Sequence, residues 1–277
     1  MNKQGKPDLE NIEISLLLEG IYKQYGFDFR DYSPASMKRR IKKSVEDEGV
    51  STISGFQEKV LRDPSCMTRF IDNMSISVTS MFRDPELYQA FRKKIIPGLR
   101  SSSFIRIWHA GCATGEEVYS MAILLKEEGL LEKTRIYATD MNEIVLNKAK
   151  EGIFPLKHMQ EYTNNYIGAG GHESLSNYYL AKHNRVIFNK EIKNKITWAE
   201  HNLVTDGSFN EFDVIVCRNV MIYFNEELRN HVLKLFYDSL PMNGIFILGS
   251  KENIRFSPYE NNYAEVDAKW KIYKKIS

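Results

Sequence analysis

The spacing of apolar positions predicts only helices in the first third of the chain. Apolar residues recur three and four positions apart there, without strand-like alternation. Ser33-Pro34 and Asp84-Pro85 each place a capping side chain before a proline at the first helical position, and Gly49 and Pro97-Gly98 are predicted stops. The predicted helices cover residues 9–25, 34–48, 56–61, 67–74 and 85–96.

Beyond Phe104, short apolar runs alternate with helical patterns. Strands are predicted over 104–110, 134–139, 196–199, 212–217, 245–248 and 269–276, and helices over 116–128, 142–151 and 226–240. Such alternation is typical of an α/β fold with a doubly wound, mostly parallel sheet. Alternating lysines in the last run predict an exposed edge strand. Residues 155–194 interrupt the alternation and are predicted to form an inserted subdomain with a strand at 185–188.

These patterns divide the chain into three segments. We expect a helical N-terminal domain over 1–80, a linker helix over 81–103, and an α/β domain with the insertion over 104–277. The length of 277 residues is enough for one large α/β domain and a smaller attachment.

Composition narrows the class of protein. With 43% hydrophobic and 27% charged residues, the chain is ordinary for a soluble globular protein. A net charge of +2 predicts no general affinity for nucleic acid or acidic membranes. No apolar run reaches the ~18 residues of a membrane span, so we expect a cytoplasmic protein without membrane insertion. Cys66, Cys112 and Cys217 lie too far apart in sequence to suggest a metal site or a disulfide framework, which fits a reducing compartment.

The stretch FIRIWHAGCATGEEVYS at 104–120 combines a buried strand, a glycine turn and a helix start, as in nucleotide-binding α/β folds. Gly111 and Gly115 allow the sharp bend. Glu116 and Glu117 stand where a dinucleotide enzyme needs open N–H groups for a pyrophosphate. The carboxylates therefore favour a cationic ligand. A purely structural corner is the alternative on this stretch alone.

Polar residues follow several other predicted strands and should meet at the same edge of the sheet. Asp140, after the second strand, predicts a carboxylate that holds ribose hydroxyls, or a cap of the next helix that Asn142 could equally supply. His201-Asn202 and Arg218-Asn219 end two further strands. His201 is either a base or, by our preference, a core or capping histidine, and Cys217 is interpreted as a small core residue.

Several motifs together resemble the CheR family of chemotaxis receptor methyltransferases. They are SVTSMFRD at 77–84, HAGCATGEEVYS at 109–120, ATD at 138–140, HNL at 201–203 and CRNVMIYF at 217–224, and the similarity extends over about residues 10–276. The resemblance implies a class I S-adenosylmethionine-dependent methyltransferase fold with a small all-helical N-terminal domain and a small β insertion. It also implies methyl transfer to glutamate side chains of chemoreceptors, which leaves S-adenosylhomocysteine and a glutamyl methyl ester.

The resemblance also implies site residues. Arg83 and Tyr223 would be catalytic, with Arg83 orienting the substrate carboxylate and Tyr223 near the transferred methyl. Glu116 or Glu117 would bind the donor's amino group, and Asp140 its ribose. The full set of implied cofactor contacts is Ser77, Thr79, Arg83, Gly111, Glu116, Glu117, Asp140, Asn202, Leu203, Arg218 and Asn219. No metal is implied.

The chain also departs from the family pattern. Ser77 replaces a common asparagine, which predicts weaker cofactor binding. Val118 replaces a frequent proline, and the family's GHSEN becomes Gly249-Ser250-Lys251-Glu252-Asn253.

The basic helix over 34–48 carries five cations within one and a half turns: Lys38, Arg39, Arg40, Lys42 and Lys43. They form either a solvated face or a docking surface for acidic methylation regions of chemoreceptor cytoplasmic domains or another signalling protein. We expect a monomer. Two alternatives to the enzyme stay open. One is a catalytically weak or inactive S-adenosylmethionine-binding regulatory or scaffold protein of the same fold. The other is an NAD-type oxidoreductase, which the acidic helix start disfavours.

Overall fold

The computed structural model describes residues 8–74 and 79–277, which group by their contacts into two units. One unit comprises Met1–Ile76 with Tyr223–Arg229, and the other comprises Ser77–Ile222 with Asn230–Ser277. Within the described residues, no helix combines the length and apolar character needed to cross a membrane.

The first unit, called the helical unit, contains the predicted N-terminal helices. They are α1 (Leu9–Tyr25), α2 (Pro34–Asp47), α3 (Ile53–Arg62) and α4 (Pro64–Met74). Ile21, Ile41 and Phe56 are fully buried in its core. The helix α3 begins before the predicted position, because the Thr52 hydroxyl accepts the Gly55 N–H at 3.0 Å and caps it.

The basic helix α2 presents fewer free cations than its sequence suggests. Lys38 and Lys42 pair with Glu10 of α1 at 2.5 and 2.8 Å. Arg40 is buried, with its guanidinium 4.6 Å from the centre of the Tyr223 ring. Its NH1 group donates to main-chain carbonyls of α4, one of them that of Asn73 at 3.0 Å. Arg40 is therefore a core residue of the helical unit and not part of a surface.

The two predicted side-chain caps are wrong. Ser33 and Asp84 do precede the prolines that begin their helices, but neither side chain makes a capping hydrogen bond. The helix after Asp84 is also shorter than predicted. It ends at Lys94, and Pro97 lies in the first turn of a separate short helix, where its missing N–H costs nothing.

The second unit contains a seven-stranded sheet and a smaller three-stranded sheet. Its strands, in chain order, are β1 (Ile105–Ala110), β2 (Thr134–Asp140), β3 (Ile153–Pro155), β4 (Tyr179–Lys182), β5 (Arg185–Phe188), β6 (Ile196–Glu200), β7 (Val214–Cys217), β8 (Ile245–Leu248), β9 (Tyr263–Asp267) and β10 (Ile272–Lys275). The helices are α5 (Pro85–Lys94), α6 (Ile96–Leu99), α7 (Glu116–Glu127), α8 (Glu143–Glu151), α9 (Met159–Gly168), α10 (Lys190–Lys193) and α11 (Glu226–Asp238), whose first turn belongs to the helical unit.

The large sheet has the order β6-β2-β1-β7-β8-β10-β9, in which β6 to β8 are parallel. This confirms the predicted doubly wound, mostly parallel α/β fold. The central strands are buried on both faces, as expected for a parallel sheet covered by helices. Their carboxyl ends, at Ala110, Asp140, Glu200 and Cys217, lie at the same edge of the sheet.

The predicted terminal edge strand is wrong in its position. The strand β10 lies between β8 and β9, so the edge is formed by β9, which no sequence pattern predicted. Lys275 of β10 donates from Nζ to the carbonyls of Tyr237 and Leu240, both at 2.8 Å. This lysine satisfies carbonyls at the end of α11 and does not mark a solvated edge.

The inserted segment forms a three-stranded antiparallel sheet in the order β3-β5-β4, together with α9. The predicted strand at 185–188 is confirmed, whereas β3, β4 and α9 were not predicted. Glu127 of α7 fixes this segment, since its carboxylate accepts the Tyr166 hydroxyl, the Tyr178 hydroxyl at 3.1 Å and the His172 N–H at 3.0 Å.

Candidate active site at the carboxyl edge of the sheet

A tight turn joins β1 to α7. Gly111 and Cys112 donate their N–H groups to the Thr139 carbonyl at 2.8 and 2.9 Å, which folds the turn over β2. Gly111 and Gly115 have φ angles of +74° and +91°, a conformation that favours glycine. A Cβ atom on Gly111 would lie 2.4 Å from a methyl of Val220. The fold itself therefore requires these glycines, and their presence alone does not identify a ligand.

Asp140 ends β2 beside this turn. Its carboxylate oxygens accept the N–H groups of Ala113 at 2.9 Å and Asn142 at 3.0 Å. The Asn142 side chain itself caps α8 by accepting the Ile144 N–H at 3.0 Å, so Asp140 is not the cap. Burial raises the pKa of Asp140, and the backbone donors lower it by less. Since each oxygen can accept two hydrogen bonds, Asp140 keeps capacity for a ligand's hydroxyl groups.

Glu117 belongs to a buried charge network. It pairs with His109 Nδ1 at 2.9 Å and accepts a hydrogen bond from Arg218 at 2.9 Å, while Arg218 also pairs with Asp84. Burial tends to raise the pKa of Glu117, but the hydrogen bond with His109 and the charge of Arg218 outweigh it and lower the pKa to about 2. The charge of Glu117 is thus already compensated within the protein.

Glu116 is in a different situation, because it lines a cavity of about 1060 Å³. The Thr114 hydroxyl donates to its carboxylate at 2.6 Å. None of the ion pairs among the described residues involves Glu116, and burial raises its pKa. A cationic ligand group in this cavity would reverse that effect. Of the two glutamates between which the sequence could not choose, Glu116 is the one suited to a cation.

Thr79 and Arg83 line the same cavity as Glu116. Arg83 is half-buried and lies between two residues with left-handed backbone, Phe82 (φ +50°) and Asp84 (φ +59°). Such backbone costs on the order of 1 kcal/mol or more per residue and is retained where surrounding contacts hold it. Left-handed backbone on both sides of one residue is typical of segments at functional sites.

Two contacts hold that strained segment in place. The Phe82 N–H donates at 2.8 Å to the Ser120 hydroxyl on α7. The Asp84 carboxylate pairs with Arg218 at the end of β7. The position of Arg83 is therefore fixed through its two neighbours, one bound to α7 and the other to the residue that follows β7.

Arg218 and Asn219 follow β7 and lie at the predicted edge. Only 3% of the Arg218 side chain is exposed, and its guanidinium is engaged by Glu117 and Asp84. The side chain therefore holds the neighbouring segments together. Only the main chain of Arg218 remains for a contact with a ligand. Asn219 has a left-handed backbone with φ +63°.

Asn202 and Leu203 follow β6 next to Asp140. The His201 N–H donates to the Asp140 carbonyl at 3.2 Å. Asn202 donates its N–H to Asp206 at 2.8 Å and accepts the Val204 N–H through its side chain at 3.0 Å, which fixes a local turn. Leu203 is buried.

The structural interpretation of His201 and Cys217 is confirmed. His201 is buried edge-to-face against Trp108, 5.2 Å between ring centres, and its Nε2 pairs with the Gly207 carbonyl. Cys217 is fully buried in β7, and burial raises the pKa of its thiol well above the ordinary value.

The roles of two predicted site residues stay predictions. Ser77 lies outside the described residues. Tyr223 groups with the helical unit, where its carbonyl accepts the Ser33 N–H at 2.7 Å and its ring contacts the Arg40 guanidinium. The assignment of Tyr223 to catalysis stays a prediction.

Sequence reasoning missed His109, Asp84 and Glu252. His109 and Glu252 lie inside motifs that the sequence had singled out, HAGCATGEEVYS and GSKEN, but without a role. Asp84 was predicted only as a helix cap. Nothing in the sequence shows that these residues bind partners on other elements.

Comparison with known proteins decides the family. Residues 77–272 match a family profile described as "CheR methyltransferase, SAM binding domain", and residues 12–75 match "CheR methyltransferase, all-alpha domain". This chain belongs to the CheR methyltransferase family. The sequence resemblance is thereby confirmed, and the chain is an S-adenosylmethionine-dependent methyltransferase with S-adenosylmethionine as its cofactor.

Individual relatives cover nearly the whole chain. The chain is 45% identical to a Pseudomonas putida protein named "Putative methyltransferase Cher3", over 96% of this chain and 97% of the relative. It is 30% identical to a Listeria innocua protein named "Chemotaxis protein methyltransferase", over 90% and 92% of the two chains. A Borreliella burgdorferi protein of the same name is 30% identical over 88% of each chain.

The residues at the sheet edge fit this cofactor. S-adenosylmethionine carries an ammonium, a sulfonium and a ribose with two hydroxyl groups. Glu116 offers a buried carboxylate without an ion-pair partner among the described residues, and Asp140 offers spare acceptor capacity beside the glycine turn. These two carboxylates thus match the positive charge and the hydroxyl groups of the cofactor.

Proposed function

We propose that this methyltransferase acts on glutamate side chains of chemoreceptor cytoplasmic domains and produces glutamyl methyl esters. The observation that supports this most is that Glu116 and Arg83 line one cavity. A carboxylate suits the cationic donor, and a guanidinium suits the carboxylate of an accepting glutamate. Two relatives named chemotaxis protein methyltransferases support chemoreceptors as substrates, with another signalling protein that bears acidic methylation sites as the alternative.

The proposed donor contacts follow the geometry of the edge. Glu116 would bind the amino group, and Asp140 the ribose hydroxyls. Asn202 and Leu203 would frame the adenine side, and the segment at Asn219 the methionine side. When bound, S-adenosylmethionine supplies a methyl group on a positively charged sulfur.

The residues of the chain then have to position the acceptor. A substrate glutamate, with an ordinary pKa of about 4.3, is ionised at neutral pH, so no general base is needed. Donor and acceptor charges cancel as the new bond forms in line with the breaking one, so exclusion of water favours the reaction. Arg83 would hold the acceptor carboxylate through its planar donor fork. The anchored backbone on both sides of Arg83 preorganises that contact.

Tyr223 would line the path of the methyl group, a role that rests on the family resemblance. A cytoplasmic location and a monomeric state are likewise proposals. Docking would use the exposed cations of α2, Arg39 and Lys43, with Lys42 partly neutralised by Glu10. Acidic methylation regions complement such a surface.

The role of Arg83 is tested by steady-state kinetics and calorimetry. Arg83→Ala should reduce kcat by about 100-fold, because the acceptor loses its orientation, whereas the Kd for S-adenosylhomocysteine should rise by much less, since Arg83 is one of several implied cofactor contacts. Arg83→Lys, which keeps the charge but not the fork, should be intermediate. Methylation by Arg83→Ala at the wild-type rate would remove this assignment. A wild-type chain that binds the donor but transfers no methyl would favour the regulatory or scaffold alternative.

A further inference from the structure

Glu252 is a buried carboxylate that binds only main-chain N–H groups among the described residues. Its residue is 6% exposed. One oxygen accepts the N–H groups of Gly249 at 2.7 Å and Asn219 at 2.8 Å, and the other accepts those of Val220 at 3.0 Å and Met221 at 2.8 Å. Three consecutive N–H groups after β7 are thus gathered on one side chain that follows β8.

Gly249 makes room for this arrangement. A Cβ atom at Gly249 would lie 2.5 Å from the Glu252 Oε2 atom and 2.9 Å from the Asn219 nitrogen. Real Cβ contacts are not that short, so any larger residue would displace the carboxylate or the segment after β7. The glycine and the glutamate of GSKEN therefore act as one structural unit.

The segment that Glu252 holds is strained and touches the glycine turn. Asn219 has a left-handed backbone, which needs support in a residue other than glycine. Val220 packs so closely on Gly111 that a Cβ there would be 2.4 Å from a Val220 methyl. The Glu252 carboxylate thereby fixes the packing of Val220 against Gly111. The turn that begins at Gly111 contains Ala113, whose N–H donates to Asp140.

We propose that Glu252, with Gly249, is a positioning residue for the donor site. Its four hydrogen bonds hold the segment after β7 against the glycine turn and so set the affinity for S-adenosylmethionine without contact with it. This inference rests on the proposed function only in the assumption that this edge binds the donor. It adds residues from the end of β8 to the set that determines donor affinity.

The test uses the full-length chain with Glu252→Gln. An amide can accept at one oxygen only, so two of the four N–H groups would face an N–H₂ group instead. We expect the Kd for S-adenosylhomocysteine and the KM for the donor to rise about tenfold or more, in line with the loss of hydrogen bonds to a charge. At saturating donor, kcat should stay within about twofold of the wild type, because Arg83, the residue proposed to hold the acceptor, lies in a segment anchored through Ser120 and Arg218 and not through Glu252.

Two controls separate positioning from loss of stability. Glu260→Gln changes an exposed carboxylate that also accepts a main-chain N–H, that of Phe256, and should leave donor binding unchanged. Val232→Ala removes buried methyl groups in α11 and should lower resistance to urea without raising the donor KM. Gly249→Ala is the second variant at the site and should raise the donor KM as Glu252→Gln does.

The outcomes distinguish the two levels of the proposal. Donor binding by Glu252→Gln or Gly249→Ala that equals the wild type, or that changes only as much as in Val232→Ala, would overturn the positioning role alone. Failure of the wild type itself to bind S-adenosylhomocysteine would remove the proposed function and this inference with it. A rise in donor KM at nearly constant kcat, absent in both controls, supports the inference.

Discussion

Glu117→Gln should lower the stability of the fold, whereas Glu116→Gln should weaken donor binding without loss of stability. Both changes replace a glutamate with its amide. Glu117→Gln removes a charge that His109 and Arg218 stabilise. The pKa of Glu117 falls from 4.5 to about 2 on folding, which corresponds to about 3 kcal/mol of stability at neutral pH, at about 1.4 kcal/mol for each tenfold change. Among the described residues, the loss also leaves the buried Arg218 with Asp84 as its one ionic partner.

The sign of the pH dependence follows from the direction of the pKa. Because folding lowers the pKa of Glu117, its contribution is complete above about pH 5 and is lost as the pH falls towards 2. The difference in the free energy of unfolding between wild type and Glu117→Gln should therefore be largest at neutral pH and shrink as the pH falls below about 5.

Glu116→Gln is the matched control. Burial raises the pKa of Glu116, so the charged form is the less favoured one in the folded protein, and the amide should leave the free energy of unfolding unchanged or slightly higher. The same variant should bind S-adenosylhomocysteine at least about tenfold more weakly, because it lacks the carboxylate that we propose binds the donor's amino group.

Urea unfolding followed by tryptophan fluorescence measures this. All three tryptophans, Trp108, Trp198 and Trp270, lie in the unit that contains the large sheet, so the signal reports on that unit. A Glu117→Gln variant as stable as the wild type at pH 7, or one with an equal deficit at pH 7 and pH 3, would refute the network. A Glu116→Gln variant that loses stability but keeps donor affinity would refute the division of roles.

The remaining predictions concern the ribose and the docking surface. Asp140→Asn should raise the Kd for S-adenosylhomocysteine about 10- to 100-fold in calorimetry, because the ribose hydroxyl groups lose a charged acceptor. The control Asp213→Asn changes a carboxylate that accepts the Arg106 N–H at the opposite end of β1, and it should leave this Kd unchanged. Equal effects of the two variants would contradict the ribose role. Arg39→Ala with Lys43→Ala should slow receptor methylation several-fold at low ionic strength and little at ~0.5 M salt, since exposed charges act within a short screening length; an unchanged rate at low salt would exclude docking through α2.

Sequence reasoning succeeded where the chemistry is local. Strand, turn and helix signals placed Gly111 and Asp140 at the carboxyl ends of neighbouring strands, and parallel topology brings such ends together. The domain boundaries and the catalytic role of Tyr223 stay predictions. Family motifs supplied the cofactor, which the matched family profile confirms.

Sequence reasoning failed where a side chain's partner lies on a distant element. Glu116 and Glu117 are equivalent in sequence, and only His109 on β1 and Arg218 after β7 make them different. Arg40 has the pattern of a surface cation but is buried against Tyr223. Periodicity describes which face of an element is apolar, and it contains no information on which buried polar groups pair across the fold.

The central claim, methylation of glutamate, is tested most directly by mass spectrometry. The wild-type chain would be incubated with a receptor cytoplasmic fragment and S-adenosylmethionine carrying a deuterated methyl group, beside Arg83→Ala as control. We predict labelled methyl esters on glutamate side chains that are removed by mild base, and at least about 100-fold slower labelling by Arg83→Ala. Label on residues other than glutamate, or no label with a wild type that binds the donor, would contradict the claim.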